Sequence, residues 1–396
     1  MPKKRVLFIN YSLHSGGIEK SLVTVLSLFD YESYDVDLQL FANDGMFLNR
    51  VSPKVNLLPP IFPKEYKLNI RQGFFALIKE GHPRIALCRL LVSFAGLKGT
   101  MGERLVRMWN VEKRFIKPSQ KEYDTVIAFM EGQPIYYAVT KVKCKNKIGF
   151  IHGDYTAMGL NKEFDTDFIR QLNALCTVSE SCKTALVQNF PEFADKFHVV
   201  YNIVSSNFMR GMANEPADFE DDFTGLRILS IARLSHQKGL DIALPAIAAL
   251  KKNGLHFKWY IIGIGPDKEA LQATIEELHI GDYVKFMGER SNPYPYLKAC
   301  DIYLQPSRFE GKSIAVDEAM VMCRPILLTN FSTAVDQIDS GKNGLIVPMN
   351  SDGVAKGLEE LLLNQDIRTR FSDALAQCDY TNENEISKLY NLICEA

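Results

Sequence analysis

Short apolar runs alternate with helical patterns along the 396 residues of the chain. Apolar runs of the length and composition of buried strands lie at 5–9, 35–41, 125–130, 147–151, 226–232, 257–262 and 301–305. Between them, apolar residues recur with helical spacing, as they do over 18–29 and 314–322. This alternation predicts an α/β protein with parallel sheets. A chain of this length suits two domains.

The composition is that of a globular protein, with 46% apolar and 23% charged residues. The eight cysteines form no Cys-x-x-Cys pair, so we expect free thiols in a reducing compartment. Because the first apolar run begins at residue 5, no signal peptide is expected. No apolar run approaches the roughly 20 residues that a membrane span needs. These observations predict a cytoplasmic protein.

The run at 301–305 leads through a turn with a glycine into a helix that begins near Ser313. Such a helix N-terminus attracts phosphates and sugar oxygens. Two carboxylates, Glu310 and Glu318, frame the turn, and eight helical residues rise roughly 12 Å. One carboxylate could hold a sugar ring and the other a ribose. The alternative, that they are a capping group and a surface group, is equally compatible with the spacing.

A second strand-to-helix turn carries Arg233 and Lys238, followed by Gly239. Two cations at such a turn can meet a diphosphate from two sides. The alternative is a basic turn without a ligand. A further glycine pair, Gly263 and Gly265, lacks the rest of a dinucleotide-binding fingerprint, so we interpret it as a plain turn.

Two features of the first half are also candidates for a ligand site. His152 directly follows the run 147–151, and open α/β sheets bind ligands at the carboxyl ends of their strands. A lone histidine, however, more often satisfies a turn. The pair Gly16 and Gly17, after the first strand, would let another molecule approach the backbone, or would form a tight turn.

Residues 306–311, Pro-Ser-Arg-Phe-Glu-Gly, followed by Asp-Glu-Ala-Met at 317–320, resemble the Glu-x7-Glu signature of retaining glycosyltransferases of family 4, which have the GT-B fold. Family members commonly have Glu-Gly-Phe-Gly where this chain has Glu-Gly-Lys-Ser at 310–313. This departure leaves the identity of the sugar open. Arg233 and Lys238 match family positions on the sugar donor's diphosphate, and His152 matches a histidine placed against its sugar.

The resemblance implies two Rossmann-like doubly wound domains that face each other across a cleft. It covers 226–347 well and the first domain only at scattered points. We therefore predict an acceptor-side domain over 1–205 and a nucleotide-sugar domain over 206–380, with the acidic stretch 211–225 as a linker. The tail, 381–396, is expected to pack back on the first domain.

The implied activity is a retaining, metal-independent hexosyltransferase that moves a sugar from a UDP-sugar or another nucleotide-diphosphate sugar to a glycan or lipid-linked acceptor in surface polysaccharide synthesis. Catalysis would rest on Arg233 and Lys238, which stabilise the leaving diphosphate, and on Glu310 and His152, which orient the sugar. The donor-binding residues would be Gly16, Gly17, Arg290, Gly311, Lys312, Ser313, Ile314 and Glu318. The nucleotide-sugar is a co-substrate, and no cofactor is expected.

Three alternatives compete with this interpretation. A nucleotide-sugar epimerase of GT-B fold would use the same signature, and a catalytically silent sugar-nucleotide-binding partner of another transferase would keep it. Metal-dependent transferases use an Asp-x-Asp pair, which occurs at 35–37 and 165–167. The first lies at a predicted strand start and the second in a predicted helix, so neither is expected to hold a metal.

The basic stretch 64–121 contains 13 Lys and Arg residues against 4 acidic ones, although the net charge of the chain is −1. Its helical patterns set Phe94 and Trp109 among arginines such as Arg104 and Arg107. A basic amphipathic helix with an aromatic residue can bind anionic lipid. The alternative is a packed helical pair with a solvated basic face. We predict peripheral contact with the inner face of a membrane through 64–121, and no nucleic-acid partner.

Overall fold

The computed structural model of the chain describes residues 3–14, 16–96, 98–156, 158–310 and 313–394. The chain divides into two compact units. Unit 1 comprises Met1–Ile203 with Glu383–Ala396, and unit 2 comprises Val204–Asn382. Each unit has its own parallel sheet with apolar side chains packed on it.

The strands of unit 1 are β1 (Lys4–Asn10), β2 (Tyr34–Leu40), β3 (Asn56–Leu57), β4 (Glu122–Ala128), β5 (Lys143–Ile151), β6 (Ala174–Thr177) and β7 (Phe197–Val199). Within the described residues they form one parallel sheet in the order β3-β2-β1-β4-β5-β6-β7. The order reverses between β1 and β4. Doubly wound sheets bind ligands beside the carboxyl ends of the strands at such a point.

The helices of unit 1 up to β7 are α1 (Gly17–Leu28), α2 (Ile70–Lys79), α3 (Pro83–Ala95), α4 (Met101–Glu112), α5 (Gln133–Lys141), α6 (Lys162–Gln171) and α7 (Glu180–Asn189). Short 3₁₀ turns lie at Leu48–Arg50, Lys64–Lys67 and Pro191–Lys196. Side chains cap several helix starts. Thr100, for example, accepts from the Glu103 backbone while the Glu103 carboxylate accepts from the Thr100 backbone.

Helix α4 is anchored to the body of unit 1 by buried side chains. Trp109 is fully buried, and its ring centroid lies 5.6 Å from that of Tyr136 on α5. Glu112, also fully buried, accepts hydrogen bonds from Tyr66 at 3.2 Å and Gln133 at 3.0 Å. Burial raises the pKa of the Glu112 carboxyl to about 7. The prediction that Trp109 belongs to a lipid-facing surface is therefore wrong, because its face of the helix packs inward.

Unit 2 contains β8 (Leu226–Ile231), β9 (Phe257–Ile262), β10 (Val284–Gly288), β11 (Ile302–Gln305), β12 (Ile326–Thr329) and β13 (Gly344–Val347). Its helices are α8 (Ser206–Met212), α9 (Leu240–Lys252), α10 (Lys268–Glu277), α11 (Tyr294–Ala299), α12 (Ile314–Val321), α13 (Ser351–Leu363) and α14 (Gln365–Ala376), with 3₁₀ turns at His236–Lys238 and Ala334–Asp336. The described strands form a parallel sheet in the order β10-β9-β8-β11-β12-β13, which is that of a dinucleotide-binding Rossmann fold.

The acidic stretch 211–225, predicted as a linker, is packed into unit 2. Phe219 is 6% exposed, and its ring packs against that of Tyr260 with the ring centroids 4.6 Å apart. The Asp221 carboxylate accepts a hydrogen bond from Tyr260 and pairs with Lys258 at 3.0 Å. Because the stretch is polar overall, its composition did not indicate that the side chains of Phe219 and Asp221 hold it in place.

The C-terminal helix α15 (Glu385–Cys394) belongs to unit 1. The ring of Tyr390 stacks on Tyr34 with centroids 5.8 Å apart, and its hydroxyl accepts from the Asp30 backbone N–H. Asn146 on β5 donates to the Leu392 carbonyl oxygen at 2.8 Å. Among the described residues, no helix is both long and apolar enough to cross a membrane.

Candidate functional site

Glu310 lies just beyond the carboxyl end of β11, and its side chain is only 7% exposed. Its Oε1 accepts hydrogen bonds from Lys238 Nζ at 2.7 Å, Ser307 Oγ at 2.6 Å and Gln305 Nε2 at 3.1 Å. The contact with Lys238 is also an ion pair. A carboxylate held by three hydrogen-bond donors has a fixed orientation, which is what positioning a sugar hydroxyl requires.

The turns that carry Lys238 and Glu310 follow β8 and β11, which are neighbours at the reversal of strand order. Gly239 adopts a φ of 61°, and a Cβ at this position would lie 2.0 Å from the Pro306 carbonyl oxygen. Only glycine therefore allows the two turns to approach this closely. The structure brings together two predicted site residues that are 72 positions apart in the chain.

Arg308 connects the same two turns, those after β8 and β11, by hydrogen bonds. Its guanidinium donates to both carboxylate oxygens of Asp241 on α9, at 2.7 and 2.6 Å, and to the His236 carbonyl oxygen at 2.7 Å. These hydrogen bonds from Arg308 hold the pKa of the Asp241 carboxyl below its usual range. Arg308 thus has a structural task, while Glu310, two residues later, presents its carboxylate beside Lys238.

The start of α12 is tied down by amide side chains. Ser313 donates its backbone N–H to Gln337 Oε1 at 3.1 Å, and Gln337 Nε2 donates to the Ser313 carbonyl oxygen at 2.9 Å. The Ser313 hydroxyl lies 2.8 Å from Gln305 Nε2. The backbone N–H, the carbonyl oxygen and the hydroxyl of Ser313 are thus all engaged within the protein. Ile314, the first residue of α12, is half-buried. Predicted donor-binding residues Gly311 and Lys312 lie outside the described residues.

Glu318, the second carboxylate of the predicted signature, is buried within α12. Its Oε1 accepts a hydrogen bond from the Tyr294 hydroxyl at 3.2 Å. Desolvation and the Glu318 charge raise the pKa of that hydroxyl well above its usual range, so Tyr294 remains a hydrogen-bond donor. The carboxylate is thereby oriented from inside unit 2, and its role toward a ribose stays a prediction.

The two predicted arginines of unit 2 differ in their surroundings. Arg233, two residues beyond β8, is exposed, and its side chain makes no hydrogen bond or ion pair with any described residue. Arg290 is half-buried, pairs with the Glu220 carboxylate and donates to the Tyr296 hydroxyl at 3.2 Å. Arg233 can therefore reach a ligand without breaking an internal contact, whereas Arg290 would first have to leave Glu220.

In unit 1, His152 directly follows β5, as predicted. Its Nε2 lies 2.9 Å from the Phe129 carbonyl oxygen, which can only accept, so Nε2 carries the proton and Nδ1 a lone pair. Nδ1 is inaccessible to solvent and has no hydrogen-bond partner among the described residues. Although the residue as a whole is partly accessible, burial of its ring lowers the pKa of His152 to about 4. The imidazole is thus a neutral hydrogen-bond acceptor.

We expect the His152 imidazole to stay neutral at every pH well above 4. Because its pKa of about 4 lies below the ordinary value of 6.5, only the unfolded chain takes up this proton as pH falls from about 6.5 to about 4. The contribution of His152 to the free energy of unfolding is therefore fully present above pH 6.5 and is lost as pH falls from 6.5 to about 4. NMR of ¹⁵N-labelled imidazoles, assigned with His152→Gln, measures the titration. A His152 midpoint near 6.5 would refute the assigned environment.

Sequence reasoning missed a carboxylate beside this histidine and a second carboxylate whose charge interacts with the first. Glu131, between β4 and α5, accepts from the His152 backbone N–H at 3.3 Å. Glu19 lies in the first turn of α1, and a Cβ on Gly16 would lie 2.1 Å from its Oε2, so this carboxylate covers the Gly16 backbone. Burial raises the pKa of both carboxyls, and the Glu131 charge adds to the rise at Glu19. Gly17, the other glycine of the predicted pair, is the first residue of α1. The sequence did contain one sign that Glu131 could belong to a site, because an acidic residue there comes shortly after the end of a predicted strand.

The two Asp-x-Asp matches lie where the sequence placed them. Asp165 is on α6 and accepts from the hydroxyls of Tyr136 and Tyr155 at 2.6 and 2.7 Å. Asp37 is on β2, where Lys121 and Tyr123 donate to it at 2.8 and 2.7 Å. Each of these two aspartates is held by side chains of unit 1 and serves the packing of its element.

A cavity of about 610 Å³ in unit 1 is lined by residues at the amino ends of β1, β2 and β4, including Arg5, Tyr34 and Tyr123. His152 follows the carboxyl end of β5, at the opposite edge of the same sheet. Parallel α/β sheets bind their substrates at the carboxyl edge. We therefore do not include this cavity in the candidate site.

Residues 215–377 match the family model described as glycosyl transferases group 1. Over nearly its whole length the chain is 24% identical to the N-acetylgalactosamine-N,N'-diacetylbacillosaminyl-diphospho-undecaprenol 4-alpha-N-acetylgalactosaminyltransferase of Campylobacter jejuni, with 94% of this chain and 93% of the relative covered. The amylovoran biosynthesis glycosyltransferase AmsK of Erwinia amylovora is 34% identical over 146 residues, which is 35% of each chain.

Two solved structures have the same fold. Anabaena Alr3699/HepE, in complex with UDP and glucose, superposes with a TM-score of 0.68 at 17% identity, covering 99% of this chain and 100% of its own. WaaG, a glycosyltransferase involved in lipopolysaccharide biosynthesis, superposes with a TM-score of 0.60 at 14% identity, with 99% and 100% covered. These likenesses confirm the predicted α/β fold class, GT-B, with two Rossmann-like doubly wound sheets.

Proposed function

We propose that the chain is a member of the glycosyl transferases group 1 family, whose model matches residues 215–377, and that it transfers a hexose-type sugar from a nucleotide-diphosphate sugar with retention of anomeric configuration. The observation that carries this proposal is the 2.7 Å contact between Lys238 and Glu310 at the strand-order reversal of unit 2. It sets a cation suited to a diphosphate beside a carboxylate suited to a sugar hydroxyl.

A UDP-sugar is the donor we propose. HepE, whose fold this chain shares, has been solved with UDP-glucose. In this chain Arg233 lies in the same strand-to-helix turn as Lys238, is exposed and makes no internal ion pair with a described residue. Its guanidinium and the Lys238 ammonium would bind the diphosphate, Glu310 would accept from sugar hydroxyls, and Glu318 would accept from the ribose. No cofactor takes part, since the nucleotide-sugar is a co-substrate.

The proposed chemistry needs neither a metal ion nor a general base from the protein. The bond between the anomeric carbon and the diphosphate oxygen breaks, and its electron pair leaves with the diphosphate. The acceptor oxygen bonds to the same face of that carbon, and its proton passes to the departing phosphate. Arg233 and Lys238 stabilise the developing negative charge. Glu310 orients the sugar.

For the acceptor we propose a hydroxyl of a glycan or lipid-linked sugar in surface polysaccharide synthesis. The name of the Campylobacter relative specifies an acceptor on diphospho-undecaprenol, and AmsK is named for amylovoran biosynthesis. An acceptor on a lipid carrier would bring this chain to the cytoplasmic face of a membrane. The chain would meet that membrane peripherally, through the basic stretch 64–121.

The proposal is tested with the full chain and a panel of nucleotide-sugars. A nucleotide-sugar at 100 times its dissociation constant should add about 2.7 kcal/mol to the free energy of unfolding, which thermal unfolding detects. We expect a UDP-sugar to do so, and ¹H NMR of the product to show the anomeric configuration of the donor, with or without EDTA. An inverted product, or activity that EDTA abolishes and a divalent ion restores, would overturn the mechanism.

A further inference from the structure

Large apolar side chains are exposed in one short segment of unit 1. Of the twelve exposed large hydrophobic residues among the described residues, seven lie between positions 68 and 94. They are Leu68, Ile70, Phe75, Ile78, Leu87, Leu91 and Phe94. Phe75 is 70% exposed and Phe94 65%. Scattered exposed apolar residues need no explanation, but a concentration of this kind marks a binding surface.

The exposed residues of α3 form a stripe along the helix. Arg84, Leu87, Leu91 and Phe94 follow one another at intervals of three, four and three, so they share one face. Exposed Lys98 lies just beyond the end of the helix. The stripe is thus apolar in its middle, with Arg84 at its N-terminal end and Lys98 just beyond its C-terminal end.

Helix α2 repeats this arrangement. Its exposed side includes Phe75 and Ile78, with Arg71 at the start of the helix and Lys79 at its last residue. Within 64–98 there are seven Lys and Arg residues against two Glu. The side chains of Arg71, Lys79 and Arg84 make no ion pair with a described residue. Their charges are therefore available to a partner.

The opposite sides of both helices hold them to unit 1. Leu77 of α2 and Ala86, Cys88 and Val92 of α3 are buried in its core. Arg89 of α3 donates to the Tyr66 carbonyl oxygen at 2.7 Å. The exposed stripes are therefore the outward faces of helices that are already fixed in place, not loosely attached elements.

We propose that these outward faces of α2 and α3, over residues 68–98, dock unit 1 on an anionic phospholipid surface, with Phe75, Phe94 and the neighbouring leucines entering the headgroup region. The proposal rests on the proposed function for its biological setting and narrows the basic stretch 64–121 to two helices. Helix α4 stands outside the docking face, because Trp109 is buried and Arg107 donates to the carbonyl oxygens of Ala95 and Lys98.

The distribution of charge favours lipid over a second copy of the chain. In a symmetric dimer the same patch would face itself, and cations would meet cations around the apolar centre. An anionic bilayer instead offers negative headgroups to Arg71, Arg84 and Lys98 and an apolar interior to Phe75 and Phe94. An anionic bilayer therefore complements both the cations and the apolar side chains of these helix faces.

The test is sedimentation of the full chain with vesicles of phosphatidylcholine alone or mixed with phosphatidylglycerol. We expect binding to the mixed vesicles at low salt, release at high salt, and little binding to phosphatidylcholine alone. The double variant Phe75→Ser/Phe94→Ser should lower the partition coefficient at least about tenfold, and Arg71→Ala/Arg84→Ala should weaken salt-sensitive binding. Leu363→Ser, which alters an equally exposed apolar residue of unit 2, should change nothing.

Hydrolysis of the nucleotide-sugar by water, measured on the same proteins without vesicles, separates this proposal from the proposed function. We expect the docking variants to hydrolyse it like the wild type, because these residues lie outside the site. Lack of vesicle binding with hydrolysis intact would overturn the docking surface alone, and vesicle binding without nucleotide-sugar turnover would overturn the proposed function alone. A wild-type dimer that Phe75→Ser/Phe94→Ser dissociates would assign the face to a second copy and overturn the lipid proposal.

Discussion

Replacing Arg233 with alanine is expected to slow sugar transfer about 10²- to 10³-fold, the loss that follows removal of one group stabilising transition-state charge. The fold should not change, because the Arg233 side chain is exposed and pairs with no described residue. Arg233→Lys should recover only part of the rate, since an ammonium keeps the charge but not the two-pronged geometry of a guanidinium. Steady-state kinetics with a nucleotide-sugar and acceptor measure the effect.

Arg370→Ala provides the matched control for this substitution. Arg370 is an exposed arginine on α14 of the same unit, so its removal changes the net charge equally. We expect wild-type transfer from that variant and an unchanged melting temperature from both. If Arg233→Ala transferred sugar at the wild-type rate, the diphosphate clamp would have to be withdrawn.

Glu310→Gln should lower the transfer rate about 10- to 100-fold while binding of the nucleoside diphosphate stays nearly unchanged. Glutamine keeps the size of the side chain and can still accept from Ser307 and Gln305. However, it loses the charge that strengthens hydrogen bonds to sugar hydroxyls and that pairs with Lys238. Transfer kinetics and calorimetric titration with nucleoside diphosphate give the two quantities separately.

The same substitution at Glu318 supplies the comparison. Because Glu318 is expected to hold the ribose, Glu318→Gln should weaken nucleotide binding, with a smaller effect on the rate at saturation. Opposite patterns in the two variants would support the division of labour between the carboxylates. A parallel loss of binding and rate in Glu310→Gln would instead mean that Glu310 maintains the turn structure.

Most of the sheet could be predicted from sequence because its strands are short, apolar and locally recognisable. The run at 257–262 coincides with β9, and the others differ from the observed strands by a few residues at their ends. The site at the carboxyl ends followed from this pattern together with the resemblance. The partners of Glu310 could not be predicted, because Ser307 and Gln305 are ordinary polar residues until the turn folds back on them.

The same limit explains the errors in unit 1 and in the supposed linker. Trp109 and Phe94 both lie in basic amphipathic patterns, yet one is fully buried and the other 65% exposed. Helical periodicity shows that a helix has two faces, but whether a given face is buried or exposed depends on what packs against it. Phe219 was likewise hidden in an acidic stretch whose packing on Tyr260 is a long-range contact.

Local pattern and chain length were thus enough for an α/β chain of two domains and for a cation pair and carboxylates placed beyond strand ends, while the family resemblance supplied the Rossmann-like form of the domains. Residue order encodes these features directly, because strand burial and helix periodicity act over a few positions. Three-dimensional packing had to supply the rest. The Lys238–Glu310 contact depends on the neighbouring positions of β8 and β11 and on the φ of Gly239. The tautomer of His152 depends on a carbonyl 23 residues away, and contacts of this range are set only when the chain closes.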